Sequence, residues 1–287
     1  MIRRYLFLLI GPLFVLGLAC NAGSPAPSEP APPATGLLAT PSPSVAPPPS
    51  PTASPLPPDS GWQEVRAGLD HRVRRWFDTT GQTVETMHIL RLDPAAFAFR
   101  VAYAPHNPLS VREWADRTGA MITVNAGYFS PEFVATGLLV ADGVAHGTSY
   151  RGFGGMVAVG PAGVEVRSLE AQPYDPTEPL AAAVQSFPLL IKPGAILGFP
   201  DDDGIPSRRT IIGQDRAGRI LIIACPGGIF TLHRLALELL ESDLDLDVAL
   251  NLDGGSSTGL WVNAGEAQIK VPSLLAVPAV LLIDPRE

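Results

Sequence analysis

Apolar side chains recur at every second position through most of the chain from residue 84 onward, the spacing that turns one face of a strand into a core. Thr86 to Leu92 and Phe97 to Tyr103 read as two such strands paired around an Asp93-Pro94 turn. Further hairpins are predicted where turn residues interrupt the alternation, at Asp142-Gly143, at Pro161 to Gly163 and near Asp215 to Gly218. WVNAGEAQI adds another, and Val277 to Ile283 reads as a closing strand. Ile220 to Ala224 is apolar at consecutive positions, so both its faces are buried and it belongs inside a sheet.

Two stretches change period. Across Leu109 to Ala120, Val111, Trp114, Ala115 and Thr118 share a helical face. Ser110 and Glu113 have capping-box spacing, and Gly119 supplies the stop. From Leu232 to Leu240, Leu232, Leu235, Ala236 and Leu239 share a second face behind a Thr231 N-cap. Strands outnumber helices and hairpins dominate, which predicts an α+β class with a mostly antiparallel sheet and about two packed helices. Met121 to Asn125 should be a strand packed on the first helix.

The pattern fails before residue 61. Arg3 and Arg4 precede a short apolar segment from Tyr5 to Ala19, and LGLAC ends in a small residue and a cysteine. Residues 1–20 read as a leader with Cys20 as the lipidated residue of a bacterial lipoprotein; an ordinary secretory signal is the alternative. Residues 21–60 hold fourteen prolines and no Lys or Arg. Such a segment cannot bury a core and reads as a tether reaching on the order of 120 Å at most. Residues 61–287 then form the folded domain, exported and held at a membrane surface. With Cys20 acylated, Cys225 has no partner for an intramolecular disulfide.

A formal charge of −8 without a basic cluster argues against nucleic acid as a partner. It leaves room for an anionic ligand, because one well-placed Arg serves a site whatever the global charge. The candidate chemistry lies in NLDGGSSTG, residues 251–259, after the alternating run Leu244, Leu246, Val248, Leu250 and Leu252. Asn251 and Asp253 share one face at the exit of that strand. Gly254 and Gly255 permit positive φ or close approach, so the amides of Gly254, Gly255, Ser256 and Ser257 can converge on an anion. A tight turn closed by local Asp and Ser bonds is the plainer reading of the same residues.

Three stretches in order resemble the phosphodiester glycosidase family, whose uncovering-enzyme type removes N-acetylglucosamine from a phosphodiester-linked sugar. They are VNAGYF (Val124 to Phe129), RRTIIG (Arg208 to Gly213) and ALNLDGGSSTGLW (Ala249 to Trp261), and the similarity spans roughly Val84 to Ile283. Two places depart from the pattern. Asp253-Gly254-Gly255-Ser256-Ser257 is one glycine shorter than the DGGGSS of many members, and Cys225-Pro226-Gly227-Gly228 stands where many carry Asp-Gly.

The resemblance implies a hydrolase acting on a sugar-1-phosphodiester, with a sugar-phosphate or glycan as substrate; with the leader this makes an exported enzyme of envelope glycans, and a monomer is expected. Arg209 would clamp phosphate through two parallel donors, with the surface salt bridge of a hairpin as its alternative role. Asp253 would serve as general base or as the carboxylate opposing oxocarbenium charge. Because a phosphodiester leaves as a weakly basic anion, one carboxylate could suffice. Asn125 would orient sugar or water, with a turn-capping Asn as its alternative role, and Asn251, Thr210, Gly254, Gly255, Ser256 and Ser257 would bind substrate. A binding module that recognises a phosphorylated envelope polysaccharide without cleaving it is the main alternative, and a purely structural protein without a pocket is the third.

No cofactor is expected, and a divalent metal stays open. Asp243, Asp245 and Asp247 lack the Gly and Glu of a calcium loop and read as a solvated strand face. Asp201 to Asp203 read as an acidic loop, and the histidines show no ligand-pair spacing. Ser256 and Ser257 lack the G-x-S-x-G elbow of a nucleophile. Cys225 reads as a buried, inert thiol.

Overall fold

The structure is a computed structural model that describes residues 56–286. The leader, Cys20 and residues 21–55 of the tether lie outside the described residues. The described residues form one compact unit. Asp59 and Ser60, on the tether side of the expected boundary, already bond into it: Asp59 pairs with Arg72, and the Ser60 hydroxyl accepts from the Val73 amide.

Every strand pairing among the described residues is antiparallel. The largest sheet has eight strands. In spatial order they are β1 (Gln63–Arg66), β2 (Leu69–Phe77), β3 (Thr83–Leu92), β14 (Ile220–Phe230), β13 (Ser207–Asp215), β15 (Leu246–Asn251), β11 (Leu189–Lys192) and β12 (Ile196–Leu197). A five-stranded sheet runs β7 (Val144–His146), β6 (Leu139–Ala141), β10 (Ala182–Ser186), β8 (Gly155–Gly160) and β9 (Gly163–Ser168). A third, also five-stranded, runs β17 (Ala267–Val271), β16 (Leu260–Ala264), β5 (Ile122–Asn125), β18 (Ala279–Pro285) and β4 (Phe97–Tyr103).

The inner faces of all three sheets meet in one core that includes Leu90, Phe97, Val124, Val157, Ile222, Leu250 and Leu281. The outer face of the eight-stranded sheet is covered by α2 (Leu232–Leu240) through Leu235, Ala236 and Leu239. The outer face of the third sheet is covered by α1 (Val111–Thr118) through Val111 and Trp114. This layering explains why β14 is apolar throughout: Ile220, Ile222 and Ala224 enter the inner core, while Leu221, Ile223 and Cys225 pack under α2. Both helices start where their caps predict. Ser110 and Glu113 close a full capping box, Gly119 ends α1 in the left-handed region, and Thr231 caps α2. The described residues are sheet-dominated, and the two α-helices among them are lids on sheet faces.

Two expectations are corrected. The Asp93-Pro94 turn does not close a hairpin, because β3 pairs with β2 and β14 while β4 pairs with β18. Each strand alternates well enough to bury a face, but the turn is a corner that carries the chain from one sheet to another across the core. The run Leu244 to Leu252 does not bury a single face either. Asp215 pairs with Leu246 and Gln214 with Val248, so Asp247 is an extra residue in β15. That bulge reverses the faces: Leu244 and Leu246 pack under α2, whereas Val248, Leu250 and Leu252 enter the inner core.

Candidate active site

The third sheet and the eight-stranded sheet bring their strand exits together at one edge of the inner core. β5 ends at Asn125, β15 ends at Asn251, and β13 carries Arg209 and Thr210 between β14 and β15. Asn125 is fully buried and ties all three segments. Its Oδ1 accepts from the Thr210 hydroxyl at 2.8 Å and from the Gly259 amide at 3.0 Å, while its Nδ2 donates to the Asp253 carbonyl at 2.7 Å. The Asn125 amide group is thus engaged by protein partners, the arrangement of the turn-holding alternative. Thr210, also fully buried, is the other half of that staple.

The turn after β15 is held by its own carboxylate. Asp253 accepts from the Gly254 amide at 2.9 Å and from the Ser257 side chain, and its own amide donates to Ala126. Burial raises the Asp253 carboxyl above its ordinary range, although the bonds from Ser257 and Gly254 favour the charged form. Gly254 lies flat against β13, where a Cβ would come 2.8 Å from the Arg208 carbonyl and 3.9 Å from the Arg209 Cα. Gly255 takes φ 58°, the left-handed region that favours glycine. Ser256 is exposed, Ser257 is buried, and the Gly255–Ser257 segment is a single 3₁₀ turn.

Arg209 is buried, and among the described residues it makes no ion pair. Its guanidinium donates only to backbone carbonyls, from Nη2 to Ile205 at 2.8 Å and from Nε to Phe230 at 3.3 Å. Burial lowers its pKa, a direction opposed by Tyr128, Asp203 and Cys225. The surface salt bridge considered for this Arg pair is absent at both positions. Arg208 donates to the Thr258 and Pro272 carbonyls and so laces the Gly259 region to the end of β17.

Tyr128, within VNAGYF, belongs to this site as well. Its phenol accepts from Asn251 Nδ2 at 2.8 Å, and it lies in the fields of both Asp253 and Arg209. Burial, first, and the Asp253 charge push its pKa up to about 12. Its position at the exit of β5, three residues after Asn125, was the available signal. Asn251 is fully buried and spans from Tyr128 to the Phe187 carbonyl at 3.2 Å, and its Oδ1 has no partner among the described residues.

Where the family pattern has Asp-Gly, the Gly227 and Gly228 amides donate to the buried Glu85 carboxylate at 2.7 and 2.9 Å. A carboxylate from β3 thus stands beside that loop and is fully engaged by it. Asp243 pairs with Arg72 and Asp245 with Arg216, while Asp247 accepts from the Gly194 amide, so the three acids do not converge. Among the described residues no group of three His, Cys, Asp or Glu is placed to hold a metal ion. Cys225 is a free, buried thiol whose pKa burial raises further.

A family model described as phosphodiester glycosidase matches residues 118–283, which hold all three motifs. The chain belongs to the phosphodiester glycosidase family. The fold agrees with solved structures at low identity. The catalytic domain of zebrafish N-acetylglucosamine-1-phosphodiester alpha-N-acetylglucosaminidase, auto-inhibited by its pro-peptide, aligns at 20% identity and a TM-score of 0.58, over 82% of this chain and 86% of that one. A hypothetical protein from Synechocystis aligns at 15% identity and a TM-score of 0.51, over 77% of this chain and 62% of that one. No curated protein matches the chain in sequence. Arg209 on β13, the Asp253 turn and the exit of β5 are contiguous here.

Proposed function

We propose that this protein is exported and hydrolyses the bond between an anomeric carbon and a phosphodiester oxygen in a cell-envelope glycan. The observation that carries the reading is Arg209, a buried guanidinium with no carboxylate partner beside the Asp253 turn. A buried guanidinium without an ion pair is costly, and a bound phosphate would offset that cost.

In this reading Arg209 holds the phosphate oxygens, and the exposed side of the Gly255–Ser257 turn meets the sugar or the phosphate. The carbon–oxygen bond at C1 breaks and its electrons leave with the phosphate. Water forms the new bond to C1 and gives its proton to Asp253, which also opposes positive charge on the sugar ring. The raised pKa supports a base stronger than an ordinary Asp. Tyr128 and Asn251 floor the site between these two groups. No resident cofactor is assigned, and a chelator control tests a metal requirement. The same proposal includes export, lipidation at Cys20, a tether that holds the domain off the membrane, a monomeric state and no nucleic-acid partner.

The replacement of Asp-Gly by Cys225-Pro226 favours a second reading, a module that binds the phosphorylated glycan without cleaving it. Calorimetry of the full chain with glucose-1-phosphate and N-acetylglucosamine-1-phosphate tests the shared claim. Arg209→Met is expected to weaken binding at least tenfold. Equal affinity in the variant would remove Arg209 from the site.

A further inference from the structure

Beside the candidate site lies an aromatic surface that the proposed reaction does not use. Phe187 follows β10 directly, and its ring packs on Tyr128 at 4.9 Å between centroids. Tyr150 and Phe153 complete the group, with Phe153 at 5.0 Å from Tyr150 and 5.8 Å from Phe187. Phe153 is 49% exposed and Phe187 39%, so both present ring area to solvent at a cost a core would have removed. The surface is held in shape. The Tyr150 hydroxyl bonds to Thr136, the Tyr150 amide donates to Gln185, and Gly152 and Gly154 on either side of Phe153 both take positive φ. Against these rings opens a hollow of about 280 Å³, which Ser168, Glu170 and Lys192 also line. Glu170 and Lys192 pair at 3.1 Å and are both exposed.

We propose that Phe153 and Phe187 form a saccharide subsite that takes the next sugar ring of the substrate. Resting on the glycosidase reading, it names the substrate class as an oligosaccharide or polymer phosphodiester. A pyranose has a face of C–H bonds and an edge of hydroxyls. The C–H face meets the electron-rich face of an aromatic ring, while the edge needs polar partners such as Ser168, Glu170 and Lys192. An apolar partner would leave that polar side unmatched. Continuity with the site runs through one chain of contacts: Phe187 packs on Tyr128, and Asn251 bonds both the Tyr128 phenol and the Phe187 carbonyl.

The test reads the surface without turnover. Saturation-transfer NMR of the full chain carrying Asp253→Asn, with chitotriose, maltotriose and mannotriose as probes, is expected to show transfer to one face of a sugar ring from at least one of them. Phe153→Leu keeps apolar volume but removes the ring, and is expected to weaken that transfer at least tenfold with an unchanged melting temperature. In the otherwise unaltered chain, the same substitution should raise KM about tenfold for an extended sugar-1-phosphodiester with kcat retained, and leave a one-sugar substrate unaffected. No transfer to any probe, or equal transfer in Phe153→Leu, overturns the subsite. Absence of hydrolysis with transfer intact would sink the glycosidase reading alone.

Discussion

Arg209 and Asn125 show how differently two residues of one motif set can act. Arg209 makes no ion pair among the described residues, so its substitution should fall mainly on ligand binding. Arg209→Lys keeps the charge and loses the planar fork, and we expect KM for a sugar-1-phosphodiester to rise tenfold or more with a smaller change in kcat. An unchanged KM would mean that bidentate geometry is irrelevant there. Asn125 is the reverse case. Asn125→Ala leaves Thr210 Oγ1, the Gly259 amide and the Asp253 carbonyl without their partner in a fully buried place. Each orphaned group costs about 1–3 kcal/mol, so a denaturant midpoint should drop by the equivalent of at least ~2 kcal/mol. A variant as stable as the parent would show that the staple is dispensable. Asp253 carries the pH dependence. It acts as a base only when ionised, and burial raises its pKa, so kcat/KM should fall as pH drops, with an inflection above the ordinary Asp value of about 3.9. A flat profile down to pH 4 would contradict this.

At the level of elements, the bulge at Asp247 and the corner at Asp93 explain what the alternation alone could not resolve. Alternation shows that a strand buries a face, not which neighbour it pairs with or where an extra residue turns it over. The β2–β3 pair carries its own titration. His71 and His88 stack across it with 5.5 Å between centroids, and Nε2 of one lies 3.2 Å from Nδ1 of the other. Burial lowers both pKa values, that of His88 to about 4, and each is lowered further by Arg75. Folded imidazoles therefore stay neutral where unfolded ones, near 6.5, take protons. Their contribution to stability is fully present above pH 6.5 and is lost as pH falls from there toward 4. His88→Leu should flatten that decline by roughly 1–3 kcal/mol in denaturant titrations at pH 7 and 4.5. An unaltered slope would show that the pair does not titrate with folding.

Across the whole molecule, the legible parts were those with local chemistry. Both helices, with their caps, and the hairpins at Asp142, Pro161, Asp215 and Gly265 could be read because turn and cap residues act within a few positions. The grouping into three sheets could not, because β4 pairs with β18 and β3 with β14 across well over a hundred residues. The site divides the same way. Arg209, Asp253 and the Gly254–Ser257 turn were visible as a motif, whereas the closed bonding of Asn125, the place of Tyr128 and the ring surface at Phe187 depend on contacts between distant segments. The most direct test of the central claim is release of free reducing sugar from N-acetylglucosamine-1-phosphodiesters by the full chain, beside Asp253→Asn and with a chelator control. The account predicts release by the parent chain and a loss of about 10²-fold or more in Asp253→Asn, the range for a general base. Equal release by both would contradict it by removing Asp253 from the chemistry, and no release by either folded protein would contradict the hydrolase itself.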